Sequence, residues 1–436
     1  MNKTLVKSLL AASLAISTCS LGAYTNKTTL TPRAIGVNLP LEYTIFHERE
    51  AARLENRFGA NLQIVPFYGQ NTCRKELGKY FGVKDSNTVN LTDFNFPAAY
   101  HIDDTDKLTT EPKYTAYGAD INYYQNLDKL VKGLYFAASL PIARVETDMQ
   151  LKVEGTNKEH IVNYLKGDTL NANTSKLEYA KIDGKRGETG VADLDLKLGY
   201  KILNKERYHF ALNIGLTIPT GNETEGKYVF EPIVGNGKHF ALGGGLDGRA
   251  RIWGEEDHNF ELNIKADYRY LFQHSGKRTL GYKDKNAGQY HMLSTDAAYD
   301  DAFFPVANKT TLNVDITPGS QLDAIAALAY NKGGFTLDLG YNLYFRQEES
   351  LKIKDSFNDT AYYYAADNLF TKDDHIDVTA AETPSQFTNG IFGAVGYTFK
   401  NWDYPLMVGL GGKYEFASKN NAVEGWQAWI KAGLSF

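Results

Sequence analysis

The chain has 436 residues, and its 52 acidic and 47 basic side chains leave a formal net charge of -5, which excludes the basic surface a nucleic-acid partner requires. Its 2 cysteines, Cys19 and Cys73, are too few for a disulfide framework or a thiolate zinc site. The 29 Tyr, 23 Phe and 39 Gly against 4 Met favour β structure, since aromatic rings fit a pleated surface and glycine serves turns and crowded sheet positions.

Lys3 and Lys7 precede an apolar run at 9–16 that is too short to span a bilayer as a helix. Charged residues followed by such a run have the form of a secretory signal, and the small residues Ser20 and Gly22 place cleavage near Gly22 or Ala23. Lipidation of Cys19 is a competing reading, opposed by Thr18 where a smaller residue is needed. The expected organisation is a signal peptide at 1–23, an N-terminal periplasmic segment at 24–57 and a β-barrel at 58–436.

Alternation of apolar and polar residues then predicts about twelve strands, at 58–68, 115–125, 134–142, 193–201, 210–218, 240–252, 260–272, 322–330, 335–346, 391–399, 406–416 and 426–436. In the clearest, Phe335, Leu337, Leu339, Tyr341, Leu343 and Phe345 share one parity, and Thr336, Asp338, Gly340, Asn342, Tyr344 and Arg346 the other. No helix gathers that apolar set on one face. Short connections near 127–131, 203–207, 254–259, 331–334 and 401–405 alternate with long ones near 70–113, 152–190, 221–238, 273–321 and 347–386. Such a rhythm fits an up-and-down barrel with short turns at one end and long loops at the other.

Alternation alone also fits an exported sandwich, or a soluble barrel with its apolar face inward. Three features favour the membrane: charges recur on one parity, aromatics gather near strand ends, and the sequence stops on Phe436. Tyr208, Phe399, Trp402 and Tyr404 lie near short turns, with Phe272, Phe345, Phe416 and Trp426 near long loops, as two interfacial girdles.

The signal segment, the strand rhythm and Phe436 together resemble the outer-membrane β-barrels of Gram-negative bacteria. The resemblance implies an all-β, transmembrane antiparallel up-and-down β-barrel in the outer membrane, in contact with membrane lipid and lipopolysaccharide. It also implies that Phe436 is the assembly signal read by the barrel-assembly machinery. More narrowly, Asn213-Ile-Gly-Leu-Thr-Ile-Pro-Thr-Gly221, followed by Gly235-Asn-Gly237, resembles the strand-to-loop motif of barrels proposed to take up hydrophobic or aromatic compounds, including the phenol-degradation type. A Pro-Gly turn after a strand explains the same residues.

With the apolar parity on lipid, the lumen receives Asp120, Asp193, Asp195, Lys197, Asp247, Arg249, Arg251, Glu261, Lys265, Asp267, Arg269, Asp323, Asp338, Arg346, Lys413, Glu415 and Lys431. Acids and bases nearly balance. Such a lining passes small polar solutes with weak charge selectivity, or knits itself shut through ion pairs. The expected function is a passive channel or transporter for small solutes. The alternative is a structural or surface-interaction barrel whose Tyr-rich loops, as at Tyr362-Tyr363-Tyr364, bind a partner.

Signals for chemistry are weaker, and no catalytic, cofactor or metal residues are expected. Gly221 to Tyr228 has the outline of a phosphate-binding loop, but Tyr228 replaces the hydroxyl residue that holds magnesium, and Glu223 and Glu225 repel phosphate. Asp104-x-Asp106 with Asp373-x-His375 is similar in spacing to the omptin outer-membrane proteases, with His101, Asp103 and Asp374 nearby. His291 and Ser294 approach the outer-membrane phospholipase pattern, yet a separation of three puts them on opposite faces of a strand. A hydrolase is the third reading.

Overall fold

The computed structural model describes residues 25–33, 59–84, 86–94, 105–170, 172–300, 302–419 and 423–436. The expected signal at 1–23 lies outside them.

Twelve antiparallel strands close into one ring. They are β1 (Ala60–Asn71), β2 (Lys113–Asn126), β3 (Leu134–Asp148), β4 (Leu194–Asn204), β5 (Tyr208–Ile218), β6 (Ala241–Glu255), β7 (His258–Leu271), β8 (Gly319–Lys332), β9 (Phe335–Arg346), β10 (Gln386–Phe399), β11 (Leu406–Lys419) and β12 (Gly425–Ser435). Each pairs with its neighbours in chain order, and β1 pairs with both β2 and β12, so no strand of the ring keeps an open edge. At the seam Ala60 and Phe436 exchange both backbone hydrogen bonds, at 2.8 and 2.9 Å.

The register settles which parity faces outward. On β9 Thr336, Asp338, Asn342, Tyr344 and Arg346 are buried, whereas Phe335, Leu337, Leu339 and Phe345 are exposed. The same inversion runs round the ring: Ile214, Leu339 and Ile430 are 64 to 65% exposed. A continuous apolar belt on a closed sheet, each of whose strands is paired on both sides, is a surface for lipid rather than water. Exposed aromatics border it, with Tyr208, Trp253, Trp402 and Tyr404 near the short turns and Tyr68, Phe240, Phe272 and Phe345 near the long loops. Among the described residues no helix is long and apolar enough to cross a membrane.

β3 runs six residues beyond its expected end at 142, and outward charges explain why the alternation stopped being visible. Arg144 and Glu146 point away from the interior and pair at 3.0 Å, with Lys185 at 2.8 Å from Glu146. They stand above the apolar belt. Here β3 changes partner: Phe136 pairs with Leu198 of β4, but Val145 pairs with Glu188 of a separate strand at Arg186–Val191. Pro141, which has no N–H, sits at the changeover, and its carbonyl accepts the Ala192 N–H at 2.8 Å.

The long connections form a packed cap at one end. Helix α1 (Arg74–Phe81) and helix α2 (Lys158–Lys166) contribute Leu77, Tyr80, Ile161, Tyr164 and Leu165 to a core that also holds Phe230 and Tyr290. That core continues down the inner wall through Val65, Phe67, Ala143 and Val145. A second cluster joins Leu280, Tyr282, Val314, Leu351, Phe370 and Ile376. The upper interior on the β1–β3 side is therefore apolar, where sequence parity gave only a polar lumen.

An arginine placed on the outer belt near its middle is expected to cost about 2 to 4 kcal/mol. Leu339→Arg and Ile430→Arg should each lower the folded fraction in lipid vesicles, read as heat-modifiable gel mobility, while Asn358→Arg in an exposed loop should not. Equal folding of all three would place the belt in water.

Candidate functional site

Two ion pairs of the inner wall meet across intervening strands. Lys197 of β4 donates to Asp267 of β7, and Arg269 of β7 donates to Asp195 of β4, with two strands between them. Thr217 Oγ1 adds a bond to Asp195 at 2.8 Å, Lys265 reaches Asp247 at 2.6 Å, and His209 lies 3.7 Å from Asp247.

Glycine makes the crossing possible. Along the row from Lys197 to Arg269 the intervening inward residues are Gly215 on β5 and Gly243 on β6. In the adjacent row Gly245 sits opposite Asp267, and a Cβ there would lie 2.1 Å from its Oδ1. Side chains at these positions would occupy the space through which the Lys and Arg reach.

Residues 25–33 enter this interior from the cap, although 24–57 reads in the sequence as a periplasmic segment; 34–57 lies outside the described residues. Lys27 N–H bonds the Tyr80 carbonyl at 3.2 Å, and Thr28 N–H that of Ala380 at 3.0 Å. Further down, Thr31 N–H donates to Thr383 Oγ1 at 3.2 Å, and its carbonyl accepts from Arg346 at 2.7 Å. Arg33 then donates to Asp323 of β8, Glu415 of β11 and Asn342 of β9, its guanidinium 4.5 Å from the centre of the Tyr344 ring. The run Lys27-Thr-Thr-Leu-Thr31 suits this path because its short hydroxyls reach the surrounding loops, Thr28 Oγ1 donating to the Thr279 carbonyl at 2.6 Å and Thr31 Oγ1 accepting from Arg278 at 3.4 Å, while Leu30 buries an apolar group.

At the mouth, Glu349 joins Arg346 at 2.6 Å and lies 3.8 Å from Arg278. Burial acts to raise its carboxyl, but Arg346 and Arg278 outweigh that and hold it below the usual carboxylate range. Arg278 also donates to Thr224.

Between β1–β3 and β4–β7 lies a cavity of about 80 Å³. One side presents Gln63, Asn122 and Ser139, and the other Lys197, Asp247 and Lys265.

The remaining expected lumen residues divide by position. Lys413 pairs with Glu415 at 3.1 Å. Asp338 and Lys431 are buried on inward positions of β9 and β12, and Asp120 likewise on β2 between Val65 and Pro141. Arg249 stands opposite Asn263, and Arg251 opposite Glu261, which is buried. Arg251 reaches out to Glu206 at the short-turn rim, at 2.8 Å.

Asp193 is not a wall residue. It sits just before β4, and its carboxylate accepts the N–H groups of Thr220, Gly221 and Asn236 at 3.1, 3.3 and 2.8 Å. Gly235, at φ 94°, and Gly221 let the two loop ends close round it: a Cβ at Gly221 would stand 2.0 Å from the Val234 carbonyl. The Pro219-Thr-Gly221 and Gly235-Asn-Gly237 motif is thus a pair of loop ends held by one carboxylate.

The phosphate-loop outline has a comparable explanation. The N–H groups of Glu225, Gly226, Lys227 and Tyr228 converge on an anion, but it is the chain's own Glu231 carboxylate, at 2.9 to 3.4 Å. Burial raises the Glu231 carboxyl above its ordinary range, against the lowering effect of those amides.

No hydrolase constellation assembles from the described residues. His101, Asp103 and Asp104 lie outside them. Asp106 is buried beside Gly155 and Asn157, whereas His375 Nδ1 accepts the Thr371 N–H at 3.0 Å within its own helical turn. His291 Nε2 lies 3.3 Å from the Asn286 carbonyl, and Ser294 Oγ accepts the Asp296 N–H at 2.9 Å. No group of three or more His, Cys, Asp or Glu among the described residues could hold a metal ion.

No family model and no curated protein matches the chain. Among solved structures it is similar to an outer membrane channel from Pseudomonas putida F1, at 12% identity and TM-score 0.44, over 86% of this chain and 95% of that one. It is also similar to a mutant of the TodX monoaromatic hydrocarbon channel, at 12% identity and TM-score 0.38, over 86% and 88%. A Pseudomonas aeruginosa FadL homologue aligns at 8% identity and TM-score 0.32, over 95% and 98%. The barrel architecture of the present chain stands on its own strand pairing.

Gly245→Ala is expected to lower stability by about 1 to 3 kcal/mol, because its methyl group enters the space of the Asp267 carboxylate. Gly184→Ala, in open space, should be neutral. Urea unfolding of the vesicle-embedded protein compares them, and equal midpoints would remove the steric argument. In a second experiment, Glu231→Ala should speed hydrogen exchange at the amides of residues 225–228; unchanged protection would mean that the loop holds its shape without the carboxylate.

Proposed function

We propose that the chain is a narrow outer-membrane channel for small solutes, closed at rest by residues 25–33 and by the ion pairs of its wall. The observation that carries this reading is a closed barrel with an apolar outside and an internal cavity bordered by polar side chains. A barrel that served only to present its loops would have no use for polar groups lining an internal cavity, since burying each is costly.

Short turns at one end and long connections at the other match the orientation of outer-membrane barrels, with the cap outside the cell. Small solutes and membrane lipid are the partners this reading requires. Lipopolysaccharide contact and recognition of Phe436 by the assembly machinery accompany it as part of the same proposal. The nearly balanced charges of the wall favour weak ion selectivity.

Arg33 is the side chain through which the entering segment grips the wall. Deleting residues 26–33 should raise single-channel conductance in planar bilayers several-fold, and Arg33→Ala should raise the fraction of time spent open. A deletion variant that folds, as judged by heat-modifiable mobility, but conducts no better than the intact chain would overturn the closure.

A further inference from the structure

The cavity between β1–β3 and β4–β7 has two walls of different chemistry. On the β4–β7 side each charge is already answered: Lys197 by Asp267, Lys265 by Asp247, and Asp195 by Arg269 and Thr217. An ionic solute would have to break one of these pairs and leave its partner buried and uncompensated.

The described residues that β1–β3 contribute to the cavity lining are uncharged, and they hold most of its atoms that lack partners. Gln63 is 2% exposed, Ser139 3% and Asn122 6%, and all three line the cavity. Gln63 Oε1, Asn122 Oδ1, Asn122 Nδ2 and Ser139 Oγ have no hydrogen-bond partner among the described residues, and across the cavity neither has Asn213 Oδ1. Amide oxygens accept, the amide nitrogen donates and the serine hydroxyl does both. A solute with several hydroxyl groups satisfies this mixture, since each hydroxyl donates and accepts. It also replaces water there without net loss of hydrogen bonds, whereas an apolar solute would strand the same atoms. Ala137 and the rings of Tyr124 and Tyr135 complete the lining with apolar surface for carbon-bound hydrogens.

We propose that this cavity binds a small, neutral, polyhydroxylated solute of the polyol or monosaccharide class, held by Asn122, Ser139 and Gln63. The proposal deepens the channel reading: it depends on that reading for the solute's route, and on the cavity alone for its binding.

Saturation-transfer NMR on the folded, detergent-solubilised full chain tests it, with xylitol and the dianion glutarate as probes. Xylitol should receive saturation and glutarate should not. Asn122→Leu and Ser139→Ala should each weaken xylitol binding by about five-fold, the size expected for one buried hydrogen bond to a neutral group. Ser139→Ala removes a single oxygen, so it keeps the test open should Asn122→Leu fail to show the heat-modifiable mobility of a folded barrel. Absence of transfer to xylitol, a stronger response from glutarate, or undiminished binding in a folded variant would overturn the site. Conductance in planar bilayers separates the two readings: a protein that conducts but does not bind xylitol loses this site alone, and one that binds xylitol but passes neither ions nor xylitol loses the channel.

Discussion

Charges enclosed by a lipid-facing ring must find their partners within it, and two of the pairs here reach across two intervening strands. A Lys–Asp pair on adjacent strands, such as Lys265 with Asp247, leaves the bore unchanged. Pairs from β4 to β7 draw long side chains over β5 and β6, and they need those strands to present almost nothing inward at the same level. Gly215, Gly243 and Gly245 meet that need. Charge and glycine are one device, each without purpose in the absence of the other. Removing a single member of such a pair costs about 3 to 5 kcal/mol, which is large against the net stability of most folds.

From β8 onward, where Asp323 stands directly beside Asp267, the same requirement is met by a residue that is not in the wall. Asp323 on β8 and Glu415 on β11 both turn to Arg33, with Lys413 also at Glu415. Asn342 links them by donating to Asp323 at 2.6 Å and accepting from Arg33 at 3.2 Å. The tie is electrostatic, bidentate in spirit and reinforced by the Tyr344 face, for which a guanidinium is better suited than an ammonium. Residues 25–33 are therefore part of the folded interior as much as any strand is.

Strand number, parity and connection rhythm were legible in the sequence because they follow from a period of two and from the contrast between short and long gaps. The pairing of charges was not. Asp195 and Arg269 are 74 positions apart, and nothing in alternation says that β4 and β7 approach across two strands rather than one. The glycine row was visible as Gly243-Gly-Gly245, but alternation assigns glycine no face and hence no role. Asp193 carried the parity of a wall residue, yet its position one residue before the strand gave it to the loop amides. Inward Phe392 and Trp429 were hidden for a related reason: each lies directly opposite a glycine, Gly340 and Gly411, whose missing side chain makes room for the ring. The path of residues 25–33 had no periodic signal at all, since a segment that bonds irregularly to loops and side chains repeats nothing.

The two grips on that segment differ in what they leave behind when released. At the mouth, Arg346 would lose the Thr31 carbonyl but keep Glu349, which also keeps the Thr383 N–H at 3.1 Å and Arg278 nearby. That clamp survives without the segment. In the middle of the barrel, withdrawal of Arg33 would take the same cation from Asp323 and Glu415 together, while Asn342 still donates to Asp323 and Lys413 still pairs with Glu415. The cost of opening is therefore concentrated on one guanidinium, and falls only as water or a cation enters to replace it. On the proposed reading, resistance to opening is set by how well the entering solvent can solvate two carboxylates, so that salt and solute composition act on the barrel's interior before any solute has crossed it.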